Sequence, residues 1–134
     1  MTGQTILIIE DNPLNLELAR DVLQTAGYLV FEARTAEEGL KLAGAAVPDL
    51  ILLDIRLPGM NGLDAARSLK RDLRTRNIPV VALTAQAMRG DQEAAFAAGF
   101  NGYITKPINT RTLSAEVRHW LGSPDGGRQG RRGA

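Results

Sequence analysis

The chain has 134 residues, 44% apolar and 23% charged, a length and balance that suit one globular domain with a real core. It contains no cysteine, which excludes a disulfide framework, thiolate metal ligands and a cysteine nucleophile. The formal charge of +1 owes much to Arg128, Arg131 and Arg132. Without residues 122–134 the chain is near neutral, which argues against a dedicated nucleic-acid surface and against direct DNA binding.

Met1-Thr2-Gly3-Gln4 lacks a basic segment followed by an apolar one, so no signal peptide is expected. No apolar run approaches the ~20 residues of a membrane helix, so a cytoplasmic protein without membrane contact is expected. From there, apolar runs and helix-period segments alternate five times, the pattern of βα units around a parallel sheet. Thr5-Ile6-Leu7-Ile8-Ile9 reads as the first strand. Asn12 as cap and Pro13 at the first helical position open a helix, for which Leu14, Leu18, Val22 and Leu23 form the expected apolar stripe and Gly27 the stop. Residues 28–33 give a second strand. Thr35 and Glu38 have capping-box spacing for a second helix that Leu40 and Ala43 would bury. Leu50-Ile51-Leu52-Leu53 is the third strand. After Asp54, the loop Ile55-Arg56-Leu57-Pro58-Gly59-Met60-Asn61-Gly62 leads to a third helix built on Leu63, Ala66, Leu69 and Leu73. Residues 78–84 form a fourth strand. The fourth helix, over 86–98, carries Gly90 and buries mainly Ala94, Ala95 and Ala98, which makes it the weakest and a candidate moving part. Gly102-Tyr103-Ile104-Thr105 is the fifth strand. A fifth helix, capped by Asn109 or Thr110, buries Leu113, Val117, Trp120 and Leu121 and ends at Gly122. Residues 1–122 are therefore expected to form the folded domain. Residues 123–134, rich in Gly and Arg without apolar period, are expected to form a flexible tail.

The chemistry gathers where the strands run out. Glu10 and Asp11 close the first, Asp54 the third, Thr84 the fourth, and Lys106 follows the fifth. Ligands of open α/β sheets collect outside the carboxyl ends of the strands. Three carboxylates there repel one another, and a divalent cation with hard-oxygen preference removes that repulsion. Mg²⁺ suits such a set, and Mn²⁺ is an alternative. The same ion neutralises charge on a transferring phosphoryl group, and a carboxylate can itself become an acyl phosphate. Asp54 stands apart from the acidic pair and suits the nucleophile. Lys106 and Thr84 offer an ammonium and a hydroxyl to the same group. Each residue alone has a plainer reading: helix-dipole complement for Glu10 and Asp11, turn residue for Asp54, strand packing for Thr84 and Tyr103, solvated charge for Lys106. The conjunction in this order carries the argument.

Ile8-Ile9-Glu10-Asp11-Asn12, Leu52-Leu53-Asp54-Ile55, Leu57-Pro58-Gly59-Met60-Asn61-Gly62, Ala82-Leu83-Thr84-Ala85 and Tyr103-Ile104-Thr105-Lys106-Pro107 resemble, in order, the signatures of response-regulator receiver domains of two-component signalling. The match spans about residues 4–121. Glu10 to Asn15 and Ala87-Met88-Arg89-Gly90-Asp91 resemble most the stand-alone DivK-type regulators and the receivers of hybrid kinases, and the chain as a whole resembles a single-domain regulator of the chemotaxis or DivK-like kind. The resemblance implies a flavodoxin-like three-layer α/β/α fold, a five-stranded parallel sheet of order 2-1-3-4-5 flanked by five helices. It implies a phosphorelay domain that is not a turnover enzyme but promotes its own phosphorylation and dephosphorylation. Asp54 would take the phosphoryl group from a phosphohistidine on a sensor or hybrid histidine kinase or a histidine phosphotransfer protein. Asp11, Asp54 and the backbone carbonyl of Arg56 would hold Mg²⁺, with Glu10 acting through water. Thr84 and Lys106 would bind phosphoryl oxygens. Thr84 and Tyr103 would switch, reshaping the face of helix four, strand five and helix five for a downstream protein. Arg56 and Gln86 occupy the positions that tune acyl-phosphate lifetime, and the Lys106–Pro107 peptide is expected to be cis.

Two other classes compete. A haloacid-dehalogenase-like phosphohydrolase also uses an aspartate nucleophile, but it needs an acid/base aspartate two positions later, where Arg56 stands. A pseudo-receiver would bind partners without phosphate, yet every expected pocket residue is present. His119 is the sole histidine and reads as an exposed helix residue, so the phosphoryl donor must be another protein.

Overall fold

Continuous apolar runs do become central strands. The computed structural model describes residues 3–57, 59–84 and 89–121, with the side chains of 89–92 excepted. The order is β1 (Thr5–Ile9), α1 (Pro13–Thr25), β2 (Leu29–Ala33), α2 (Ala36–Ala46), β3 (Leu50–Asp54), α3 (Gly62–Arg71), β4 (Val80–Thr84), α4 (Arg89–Ala98), β5 (Gly102–Thr105) and α5 (Leu113–Leu121). All pairings are parallel and the sheet order is β2-β1-β3-β4-β5. The expected fold class is thus the observed one. Gln86 and residues 123–134 lie outside the described residues. No helix among those described is long and apolar enough to cross a membrane.

Because side chains alternate across a strand, one apolar run supplies two cores. Leu7 and Ile9, Ile51 and Leu53, and Val80 and Ala82 face one side with Ala43, Ala65, Ala66, Leu69 and Ala98. Ile6 and Ile8, Leu50 and Leu52, and Val81 and Leu83 face the other with Leu16, Ala19, Leu23, Leu113 and Val117. Each fully buried Leu or Ile is worth about 1.5–3 kcal/mol, so the three inner strands anchor the fold. They also fix where their carboxyl ends emerge.

The local signals for helix starts work as chemistry demands. Asn12 Oδ1 accepts the N–H groups of Leu14 (2.9 Å) and Asn15 (3.1 Å). Thr35 Oγ1 accepts the Glu38 N–H at 3.1 Å, while Glu38 reaches back to the N–H of Arg34 at 3.0 Å. Three packing expectations need correction. The buried face of α1 is Leu16, Ala19 and Leu23, whereas Leu14 and Leu18 are exposed. Leu73 lies beyond α3 and is exposed, because the chain turns at Asp72, whose carboxylate takes the Arg74 N–H and guanidinium. Finally, α5 begins at Leu113, later than a cap at Asn109 or Thr110 predicts. Asn109 instead closes the preceding turn, its side chain accepting the Arg111 N–H and its carbonyl those of Thr112 and Leu113.

Candidate functional site

The carboxyl ends of β1 and β3 lie side by side, in register from Ile6↔Leu50 to Ile9↔Leu53. That register brings the residues just past Ile9 beside Asp54. Glu10, Asp11 and Asp54 each present one carboxylate oxygen within 4.8 Å of the others. Glu10 is 1% exposed and Asp54 5%, so two of these charges are almost wholly removed from water.

Burial of this kind demands partners, since an uncompensated carboxylate in the interior is costly by several kcal/mol. Lys106 supplies most of the compensation. Its Nζ donates to Asp54 Oδ2 at 3.0 Å and lies 2.7 Å from Glu10 Oε1. The approach to Glu10 is an ion pair whose angles fall short of hydrogen-bond geometry. Backbone groups complete the frame: Asn12 N–H donates to Glu10 Oε2 at 3.1 Å, and Arg56 N–H to Asp54 Oδ1 at 2.9 Å.

One ammonium shared by two carboxylates explains how Glu10 and Lys106 titrate. Burial raises the Glu10 carboxyl above its usual range, against the lowering effect of Lys106 and of the Asn12 N–H, and the charge of Asp54 adds to the rise. Burial alone would lower the Lys106 ammonium, but Glu10 and Asp54 together outweigh it and carry it above the ordinary lysine value. Lys106 gains from both partners, whereas Glu10 receives only a share of one cation.

Two more strand ends border the cluster. Thr84 closes β4 and is buried, and its carbonyl accepts the Lys106 N–H at 2.7 Å. The Lys106–Pro107 peptide is cis, as the resemblance implies. Across the loop after β3, a Cβ at Gly62 would meet the Asp54 carbonyl oxygen at 2.4 Å. Only glycine allows that approach, and the Gly62 N–H then closes the loop onto the Ile55 carbonyl at 2.8 Å.

The fold therefore brings Glu10, Asp11, Asp54 and Lys106 together, with Thr84 at the end of the neighbouring strand. Arg56 follows directly with an exposed side chain. Tyr103 on β5 sets its ring edge-to-face against Phe96 of α4. His119 is exposed on α5 and stacks edge-to-face with Trp120. The sequence reading passed over the Asn12 and Arg56 N–H donors, although an acidic residue two positions before an N–H is a recognisable turn signal. The donor set is all hard oxygen, and two buried carboxylates share one ammonium. Both features fit a hard divalent cation.

These features define an α/β domain with an acidic pocket at the carboxyl edge of its sheet, and comparison with known proteins names the class. The response regulator receiver domain family matches residues 6–118, and the chain belongs to it. It is 42% identical over 119 residues to the polar-differentiation response regulator DivK of Brucella ovis, covering 89% of this chain and 97% of that protein. The receiver domain of the Pseudomonas aeruginosa sensor histidine kinase PA1611, solved with a magnesium ion in its active-site cleft, superposes with a TM-score of 0.84 at 36% identity, covering 91% of this chain and all of that one. The chemotaxis protein CheY4 of Vibrio cholerae gives a TM-score of 0.86 at 26% identity, covering 90% and 100%. Acceptance of a phosphoryl group on an aspartate, in partnership with histidine kinases and phosphotransfer proteins, is the general function of this family.

Proposed function

We propose that the chain is a phosphorylation-controlled switch in which Asp54 is the phosphoacceptor. A carboxylate oxygen of Asp54 attacks the phosphorus of a phosphohistidine on a partner protein. The new O–P bond forms as the N–P bond breaks, and the electron pair returns to the imidazole, which takes up a proton from solvent. Attack of water on the same phosphorus later restores the carboxylate and releases inorganic phosphate. The domain promotes both steps by holding the reactants.

The observation that carries this reading is the single Lys106 ammonium placed between Asp54 and Glu10, with Asp11 alongside. An acyl phosphate on Asp54 keeps negative charge within reach of Lys106, so the ion pair is exchanged rather than lost. Asp11, Asp54 and the backbone carbonyl of Arg56 would hold Mg²⁺ or Mn²⁺, with Glu10 acting through water. Such an ion supplies charge neutralisation for the phosphoryl oxygens. Thr84 donates its hydroxyl to a phosphoryl oxygen and Tyr103 turns inward after it. The face of α4, β5 and α5 then presents a changed surface to a downstream protein in the cytoplasm. Arg56 and Gln86 set the lifetime of the acyl phosphate.

Incubation with acetyl phosphate and Mg²⁺ tests the assignment. Wild-type protein should acquire base- and hydroxylamine-labile phosphate and Asp54→Asn none. Undiminished labelling of the variant would move the acceptor elsewhere.

A further inference from the structure

Phe96 lies on α4, whose described buried side chains are the alanines Ala95 and Ala98, and it is 51% exposed. It therefore contributes little to the core. Its aromatic partner is Tyr103, at a centroid separation of 6.4 Å and an interplanar angle of 75°. That is the edge-to-face geometry in which the positive rim of one ring meets the negative face of the other.

The register of the sheet gives Tyr103 a second place to go. Ala82 pairs with Tyr103 and Thr84 with Thr105. Side chains two apart on a strand share a face, so Tyr103, Ala82 and Thr84 all lie on one side of the sheet. Ala82, the residue paired with Tyr103, is small and adds little bulk to that face. A ring at Tyr103 thus has two neighbours on this face, Phe96 of α4 and Thr84 of β4.

We infer that Phe96 is a latch that holds the half-buried Tyr103 ring against α4 and so sets how readily the pocket takes up a phosphoryl group. The inference rests on the reading of Asp54, Thr84 and Tyr103 proposed above. Phe96 touches no reacting atom, so it is a positioning residue that acts through Tyr103. A ligand that favours the inward ring must first break the ring pair, and its apparent affinity falls by the fraction of molecules already unlatched. An aromatic pair of this geometry shifts such an equilibrium by roughly two- to tenfold.

The test has two readouts. In protein without any phosphoryl analogue, NMR coupling constants report the Tyr103 side-chain rotamer, and Phe96→Ala should turn one rotamer into an average of several. With Mg²⁺ and beryllofluoride, Phe96→Ala should bind roughly two- to tenfold more tightly than wild type. Phe96→Leu, which keeps the bulk and loses the ring, should fall between them and guards against a folding defect. In a Tyr103→Ala background, Phe96→Ala should change nothing. An unchanged rotamer, unchanged or weaker beryllofluoride binding, or an effect that persists without Tyr103 would each overturn the latch. If wild-type protein binds beryllofluoride but Phe96→Ala does not alter it, the latch falls and the phosphoacceptor reading stands. If wild-type protein does not bind beryllofluoride at all, both fall together.

Discussion

Two lysines end at opposite edges of the sheet, and their surroundings push them in opposite directions. Lys106, at the carboxyl edge, sits between Glu10 and Asp54 and is raised above 10.5 once those carboxylates outweigh its burial. Lys70, at the amino edge, donates to the Ile78 carbonyl at 2.8 Å and to Asn101 Oδ1 at 3.1 Å, and burial lowers it below 10.5. Asn101 Oδ1 also accepts the Val80 N–H at 2.8 Å, so Lys70 and Asn101 clamp the start of β4. The difference lies in the partners. Neutral carbonyls satisfy an ammonium's protons without returning its charge, which makes a clamp. Carboxylates return the charge, and on the proposed function one of them takes a phosphoryl group, which makes a site.

The sharpest way to break this contrast is to remove each lysine in turn. Lys106→Met should weaken binding of Mg²⁺ with beryllofluoride by roughly ten- to hundredfold, the worth of one charge-assisted contact. Calorimetric titration measures it, and a loss under about twofold would deny Lys106 its place at the phosphoryl group. Lys70→Met should lower unfolding free energy by about 1–3 kcal/mol through the donor lost to Ile78. Its beryllofluoride affinity should stay within about twofold of wild type, because the two edges share no partner. Urea denaturation and the same titration decide it. Equal effects of the two variants on both readouts would erase the distinction.

A smaller effect separates them by pH. The contribution of Lys106 to stability is fully present below the unfolded value of 10.5 and is lost as pH rises through its raised folded value. That of Lys70 runs the other way, being present above 10.5 and lost as pH falls through its lowered folded value. Urea melts between pH 8 and 11 should therefore show the wild-type advantage over Lys70→Met growing with pH, and that over Lys106→Met shrinking at the alkaline end. Parallel curves would mean that the two ammonium groups share one environment.

The carboxyl edge was legible in the sequence because each of its residues terminates an apolar run, and an acid after four buried residues is a local signal. Strand order was not: it came from resemblance, since nothing in five short runs says which neighbours pair. The amino edge was illegible. Lys70 and Asn101 are separated by 31 residues, and neither interrupts a pattern. The apolar stripe on α1 was misjudged for a related reason. Leu14 and Leu18 share a helical face as well as Leu16, Ala19 and Leu23 do, and leucine is the louder residue. Burial chose the face with alanine, which lets the helix approach the sheet closely. Phe96 escaped notice because its partner lies across the turn from α4 to β5, and spacing within α4 shows only alanines.

The central claim is that the pocket exists to place a phosphoryl group on Asp54. Borohydride reduces an aspartyl phosphate to homoserine, so protein treated with acetyl phosphate, reduced and mapped by mass spectrometry reports the acceptor directly. Homoserine at position 54, dependent on Mg²⁺, is the predicted result. Homoserine at Asp11 or another aspartate, 5-hydroxynorvaline at Glu10 or another glutamate, or no reduced residue anywhere despite stoichiometric labelling, would contradict it.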